Sequence, residues 1–308
     1  MSSEIRPGNQ GDPKDITSDR REDSQGDPKG RQGFQGDPKG RPYPATNTAT
    51  VDRADNIILD TQNLAKSFGG LRAVDNCSFT VARGSVTGLI GPNGAGKSTA
   101  ANLITGFIRA DSGAILFDGK DIARLPVHQI ARHGLTRTFQ ITRELERMTV
   151  TENMLAAPHN QLGESFWLGL LGLPAVRRQE DENLKRALKL LKDFDLYHLR
   201  DEYAGNLSGG QRRLLELARV VMTQPKLLLL DEPFAGINPV LAARLSDYIG
   251  ALCKDEGITF LIIEHNLAMV ERLCHTVIVM ALGRSTAEGS MAELRQNPAV
   301  VEAYLGEG

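Results

Sequence analysis

The 308-residue chain is poor in cysteine, in aromatic residues and in net charge, and each shortage closes off a class of protein. Cys77, Cys253 and Cys274 are odd in number and far apart, so a disulfide framework is excluded and a reducing compartment is expected. Lys and Arg number 36 against 38 Asp and Glu, which leaves a net charge of -2. A nucleic-acid binder working through a global basic excess is disfavoured by that balance, and no nucleic-acid partner is expected. No apolar run approaches the roughly 20 residues that span a bilayer. The longest, Phe166 to Leu173, is short and holds two glycines. The opening MSSEIRPGNQ lacks the apolar core of a secretory signal. What is present, 41% hydrophobic and 24% charged residues, sits near the globular average and excludes a wholly disordered chain or a collagen-like fibre.

Composition changes along the chain. From Met1 to about Asp55 there is almost no aliphatic residue, and one unit recurs as QGDPKD from Gln10 and as QGDPKGR from Gln25 and Gln35. Nothing in such a stretch buries enough surface to offset the entropy of ordering, and its period matches no solenoid. Residues 1–55 are expected to be a solvated, low-complexity tail, and 56–308 the folded domain. Near-cancelling charges in the tail argue against a membrane tether.

Regular patterning begins at Asn56. IILDTQNLAKSF, CSFTVA, SVTGLI and AILFDG read as successive strands. LLLLD from Leu227, ITFLIIE from Ile258 and TVIVMA from Thr276 are short apolar runs of the kind buried on both faces, which predicts parallel strands in an α/β fold. Residues of about 149–222 switch to helical periodicity, as in ENLKRALKLLKDF, and predict an inserted α-helical subdomain.

Three motifs carry chemistry. GPNGAGKST (Gly91, Pro92, Asn93, Gly94, Ala95, Gly96, Lys97, Ser98 and Thr99) follows a strand and opens a helix, the context a phosphate-binding loop requires. Its glycines let the backbone N–H groups curl toward phosphate oxygens, Lys97 adds a point charge, and Ser98 offers a hydroxyl to Mg²⁺. LLLLDEP brings Asp231 to the C-terminal edge of a strand, where it is suited to hold Mg²⁺, with Glu232 next to it as a candidate general base. LSGGQ, Leu207 to Gln211, ends twenty residues before Asp231 and places Ser208, Gly209, Gly210 and Gln211 at a second anion-binding helix N-terminus. One nucleotide needs one phosphate cradle, so a second cradle implies a nucleotide shared between two molecules.

With these residues the chain from about Asn56 to Gly308 resembles the ATP-binding cassette (ABC) ATPases. The resemblance implies a mixed β core, an antiparallel β subdomain plus a parallel sheet, with the helical subdomain inserted. It implies that Gln140, ending TRTFQ, senses Mg²⁺ and couples to a transmembrane partner, that His265 in IIEHN contacts the γ-phosphate, and that Phe68 stacks on adenine. Where the family commonly has an aspartate in the loop after Glu232-Pro233, this chain has Asn238, which removes an ionic contact between subunits. FGGLRAVDNCSF, GLTRTFQITRELERMTVTENM, the insert FWLGLLGLPAVRRQE and the ending NPAVVEAYLGE are similar to the LivG-type ATPase of branched-chain amino-acid importers. The insert either meets a membrane subunit through Trp167 or fills the subdomain's own core.

The resemblance implies a peripheral ATPase on the cytoplasmic face of a bacterial inner membrane. Its partners would be membrane permeases, a sister ATPase or a second copy of itself, and a periplasmic solute-binding protein. Catalysis would rest on Glu232, His265 and Lys97, with Ser98, Gln140 and Asp231 around Mg²⁺. Urea or short-amide importers, a lipopolysaccharide-export ATPase and a soluble ABC ATPase acting on nucleic acid or ribosomes stay open as alternatives.

Overall fold

The computed structural model describes residues 56–138, 145–159, 161 and 174–301; the repeat segment, Gln140, Trp167 and the end of the chain beyond Val301 lie outside the described residues. In chain order the elements are β1 (Ile57–Phe68), β2 (Leu71–Ala82), β3 (Val86–Ile90), α1 (Lys97–Ile104), β4 (Ser112–Phe117), β5 (Lys120–Asp121), α2 (Val127–Arg132) and β6 (Leu135–Arg137). They continue with α3 (Val150–Leu155), α4 (Pro174–Asp193), α5 (Gly209–Met222), β7 (Leu227–Asp231), α6 (Pro239–Glu256), β8 (Thr259–Ile263), α7 (Leu267–Leu273), β9 (Thr276–Ala281), β10 (Arg284–Gly289), α8 (Met291–Leu294) and α9 (Pro298–Val300).

Two sheets result. One is antiparallel with order β2-β1-β4-β5; the other has order β10-β9-β3-β8-β7-β6 and is parallel except for the pairing of β10 with β9. The apolar runs explain the parallel part. Side chains alternate across a strand, so Leu227, Leu229, Leu261 and Ile263 enter the core shared with the antiparallel sheet and α1, while Leu228, Leu230, Phe260 and Ile262 enter a second core with α5 and α6. Both faces are covered, and β3, β7 and β8 are buried throughout.

The described residues of 149–222 form helices and short turns, apart from an isolated bridge between Thr149 and Tyr203. Thr149 opens α3 with a capping box to Glu152. In α4, Val176, Ala187, Leu190 and Leu191 are buried, an apolar stripe on an otherwise charged helix. Three strands were not anticipated: β5 is two residues long, β6 is three, and β10, RSTAEG, is a polar edge strand.

Candidate nucleotide site

β3 delivers the chain, fully buried, into the phosphate loop. Gly91, Gly94 and Gly96 have φ of 154°, 82° and 97°, a region L side chains avoid. A Cβ at Gly91 would collide with the carbonyl oxygen of Met280, and one at Gly96 with that of Ala73. Gly94 meets nothing within 4 Å, so its requirement is conformational alone. The loop is held by Ala95 N–H donating to Pro92 O at 3.2 Å and by Gly283 N–H donating to Ala95 O at 3.1 Å. Lys97 Nζ donates to Gly91 O at 2.7 Å and to Pro92 O at 3.0 Å, bridging the loop from within. No side chain caps α1, so its N-terminal dipole is left to the loop. Burial pushes the Lys97 ammonium below its ordinary pKa, and the negative charges of Glu232 and Asp231 pull it partly back. Parallel pairing of β3 with β8 and of β8 with β7 brings the C-terminal ends of these strands, and with them both carboxylates, to the same side of the sheet as the loop.

β7 lies between β6 and β8, and its register with β6 pairs Arg137 with Leu229. Asp231, 8% exposed, receives Arg137 Nη2 at 2.5 Å, while Arg137 Nη1 donates to Asn102 Oδ1 of α1 at 2.6 Å. Glu232 turns out of the strand with φ of 48°. Its N–H donates to Ile263 O at 2.9 Å, and its carbonyl oxygen accepts from Arg213 Nη2 at 3.2 Å. These bonds fix a left-handed conformation that costs a non-glycine residue roughly 1–2 kcal/mol. His265 leaves β8 on the neighbouring strand end with Nδ1 3.9 Å from Glu232 Oε1. The order of strands in the sheet thus gathers Lys97, Asp231, Glu232 and His265, which stand far apart in sequence.

The segment expected to be a second cradle is a capped helix N-terminus. Ser208 Oγ accepts the Gln211 N–H at 3.3 Å, and Gln211 Oε1 accepts the Ser208 N–H at 2.9 Å. Ser208 to Gln211 line a groove of about 770 Å³ that continues past Glu232 to Asn238 and Arg244. Asn238 accepts the Leu241 N–H at 2.8 Å and caps α6, with Pro239 at the first helical position. Its hydrogen-bonding capacity toward another molecule is therefore partly committed. Phe68 closes β1 at the hairpin to β2, is 49% exposed, and has Lys66 Nζ at 5.7 Å from its ring centroid. A half-exposed ring there can receive a flat heterocycle on one face.

The donor set fits Mg²⁺: a hydroxyl at the start of α1, Ser98, and one carboxylate, Asp231, are hard oxygen ligands, and Mg²⁺ commonly takes few protein ligands when phosphates supply the rest. Among the described residues no cluster of three His, Cys, Asp or Glu forms a self-sufficient metal site. Gln140, the other expected ligand, lies outside the described residues. Sequence reasoning missed Arg137 and Asn102, which brace Asp231 from behind, and the buried Glu264. For Arg137 the signal was its place three residues before Gln140 in TRTFQ.

A phosphate loop at a parallel sheet's edge, a strand-end Asp-Glu pair, a following histidine and a second phosphate-type helix terminus define a nucleotide-hydrolysing cassette. The comparisons agree. The ABC transporter family model matches residues 74–235, and the model for the branched-chain amino acid ATP-binding cassette transporter matches residues 287–308. A probable branched-chain amino acid transport ATP-binding protein LivG of Archaeoglobus fulgidus is 46% identical over 249 residues, covering 81% of this chain and 95% of its own. The high-affinity branched-chain amino acid transport ATP-binding proteins BraF of Pseudomonas aeruginosa and LivG of Escherichia coli K12 are 42% and 41% identical, covering 81% of this chain and 98% of theirs. A crystal structure of the ADP conformation of an ATP-binding cassette of an ABC transporter superposes with TM-score 0.69 at 41% identity, covering 81% and 99%. The chain belongs to the ABC transporter family, as an ATP-binding subunit whose ATPase activity is coupled to transport.

Proposed function

We propose that this chain powers the import of branched-chain amino acids, docked on membrane permeases at the cytoplasmic face of a bacterial inner membrane. The sequence similarity to LivG and BraF proteins supports the solute, and among the described residues no helix is long and apolar enough to cross a membrane. The single observation that carries the chemistry is the strand-end pair of Glu232 and His265, 3.9 Å apart, in the field of Lys97.

In this reading two cassettes, this chain with a sister subunit or with itself, close over two ATP. Phe68 takes the adenine on one face, and Gly91 to Thr99 wrap the phosphates with backbone N–H groups. Ser208 to Gln211 of the other cassette close on the same nucleotide. Glu232 accepts the proton of the attacking water as it approaches the γ-phosphate in line, and His265 orients the γ-phosphate oxygens. Lys97 offsets charge on the leaving side. Mg²⁺, held by Ser98, Asp231 and Gln140, would neutralise charge on the β- and γ-phosphates. The periplasmic solute-binding protein delivers the solute from the other side of the membrane, so solute choice lies outside this chain.

The test co-expresses the chain with its permeases and measures uptake of leucine and of urea into proteoliposomes. Leucine uptake that is lost with Lys97→Ala supports the reading; urea uptake without leucine uptake refutes the solute. Glu232→Gln is expected to retain ATP with turnover reduced at least 100-fold, and wild-type turnover in that variant removes the base assignment.

A further inference from the structure

Behind the Glu232–His265 pair lies a carboxylate with no role in the chemistry described so far. Glu264 directly follows β8 and is 1% exposed, a burial an ionised carboxylate tolerates only when its oxygens are satisfied. Its Oε1 accepts the Phe234 N–H at 3.1 Å. Its Oε2 accepts the N–H groups of His265 at 2.9 Å and Asn266 at 3.0 Å. Its own N–H donates to Leu89 O, on the strand that feeds the phosphate loop, at 3.3 Å.

The ladder explains why such a link is needed. The pairing of β7 with β8 ends at Asp231 and Ile263, and the bond from Glu232 N–H to Ile263 O is the last backbone tie between the two loops. Beyond it the chains diverge, one toward Ala235 and Asn238 on the groove, the other into α7. Three N–H donors from two loops need an acceptor with two oxygens, and a negative charge makes each bond stronger than a neutral one would be. A hydroxyl or a single amide oxygen offers too few acceptor sites in the right places.

We propose that Glu264 is a positioning residue that holds the Glu232 loop and the His265 loop at one separation, so that carboxylate and imidazole stay on the same reacting group. The proposal rests on the roles given above to Glu232 and His265. It acts on turnover and leaves the phosphate loop's grip on ATP unchanged, because the Gly91–Thr99 backbone makes its own bonds.

The experiment uses Glu264→Gln and Glu264→Asp in the full chain. Glutamine keeps the size but turns an NH₂ toward a backbone N–H; aspartate keeps the charge but withdraws it by one methylene. Both are expected to lower kcat at least ten-fold with the ATP KM within two-fold of wild type. Hydrogen exchange at the Phe234, His265 and Asn266 amides should quicken at least ten-fold, with exchange over residues 91–97 unchanged. Wild-type kcat in either folded variant, or kcat and KM worsening together, overturns the proposal. Should neither variant fold, fast exchange of those three amides in the wild-type protein overturns it, and slow exchange supports it. Glu232→Gln and His265→Ala, measured alongside, separate the two readings. Wild-type turnover in either removes the catalytic roles themselves, whereas lost turnover in both with normal Glu264 variants removes the positioning role alone.

Discussion

Replacing Arg137 by methionine deletes the guanidinium that bridges Asp231 and Asn102 while keeping most of the side-chain volume. The two ion-pair partners are 10% and 11% exposed, and their bond is 2.5 Å, so little water can solvate the carboxylate left behind without reshaping the sheet edge. Removing one member of a buried pair costs about 3–5 kcal/mol, because the remaining charge is left uncompensated. The lost bond to Asn102 adds about 1 kcal/mol. For a domain of this size each kcal/mol lowers Tm by roughly 2–4 °C, so a fall on the order of 10 °C is expected by calorimetry or circular dichroism. The diagnostic is the cycle with Asp231→Asn. Once Asp231 is neutral, Arg137→Met should cost at least 2 kcal/mol less, a coupling well beyond the roughly 0.5 kcal/mol seen between independent sites. A coupling within about 0.5 kcal/mol refutes the reasoning, since the two side chains would then not compensate one another.

Within the phosphate loop, Gly96→Ala is expected to weaken binding of a fluorescent ATP analogue at least ten-fold and to exceed the effect of Gly94→Ala, because of these two Gly96 alone adds a backbone collision to the positive φ; the reverse order would contradict the loop geometry. Acid sensitivity has a specific source in Asp118, whose carboxylate is held at about 2 by hydrogen bonds from Lys226 and then Arg83. A depressed folded pKa means stability that is present above pH 4 and lost as pH falls from 4 toward 2. Thermal melts of Asp118→Asn should therefore lose less Tm over that window than wild type, and parallel curves would show that the cluster contributes nothing.

The glycines of the Gly91–Thr99 loop were legible because their backbone conformation restricts composition. A loop that presents its N–H groups to phosphates needs glycine at φ values other residues avoid, and Gly91, Gly94 and Gly96 announce it. The parallel strands were legible for a different reason: burial on both faces leaves only apolar side chains at Leu227–Leu230 and Phe260–Ile263. β10 has one polar edge and β6 only three residues, so neither produces a pattern that outweighs chance. Arg137 and Glu264 could not be paired with their targets from sequence, because strand order decides which ends meet. Asn238 is different again. Asn before Pro at the head of an apolar periodic run is a helix-start signal, but the residue was read as an inter-subunit contact and not as the cap it proves to be.

Glu232 shows where local propensity and tertiary structure part. Its φ of 48° is a conformation that glycine or asparagine adopts at less cost, so propensity alone would not place glutamate there. The backbone is held there by three bonds at once: its N–H to Ile263 O, and its carbonyl oxygen accepting from Arg213 and from the Ala235 N–H at 3.1 Å. Three partners on one peptide pair over-determine the turn and offset a strain of about 1–2 kcal/mol. The turn aims the chain away from the β7 axis directly after Asp231, so two consecutive residues serve different ends. Asp231 stays buried against Arg137, and Glu232, with a third of its side chain exposed, faces His265. A continued extended conformation would also alternate the two side chains, but would send position 232 on along β7 without the Ile263 bond that holds it beside His265. The strained residue is thus the means by which one strand end supplies both a carboxylate paired from within the sheet and a second one open to the groove.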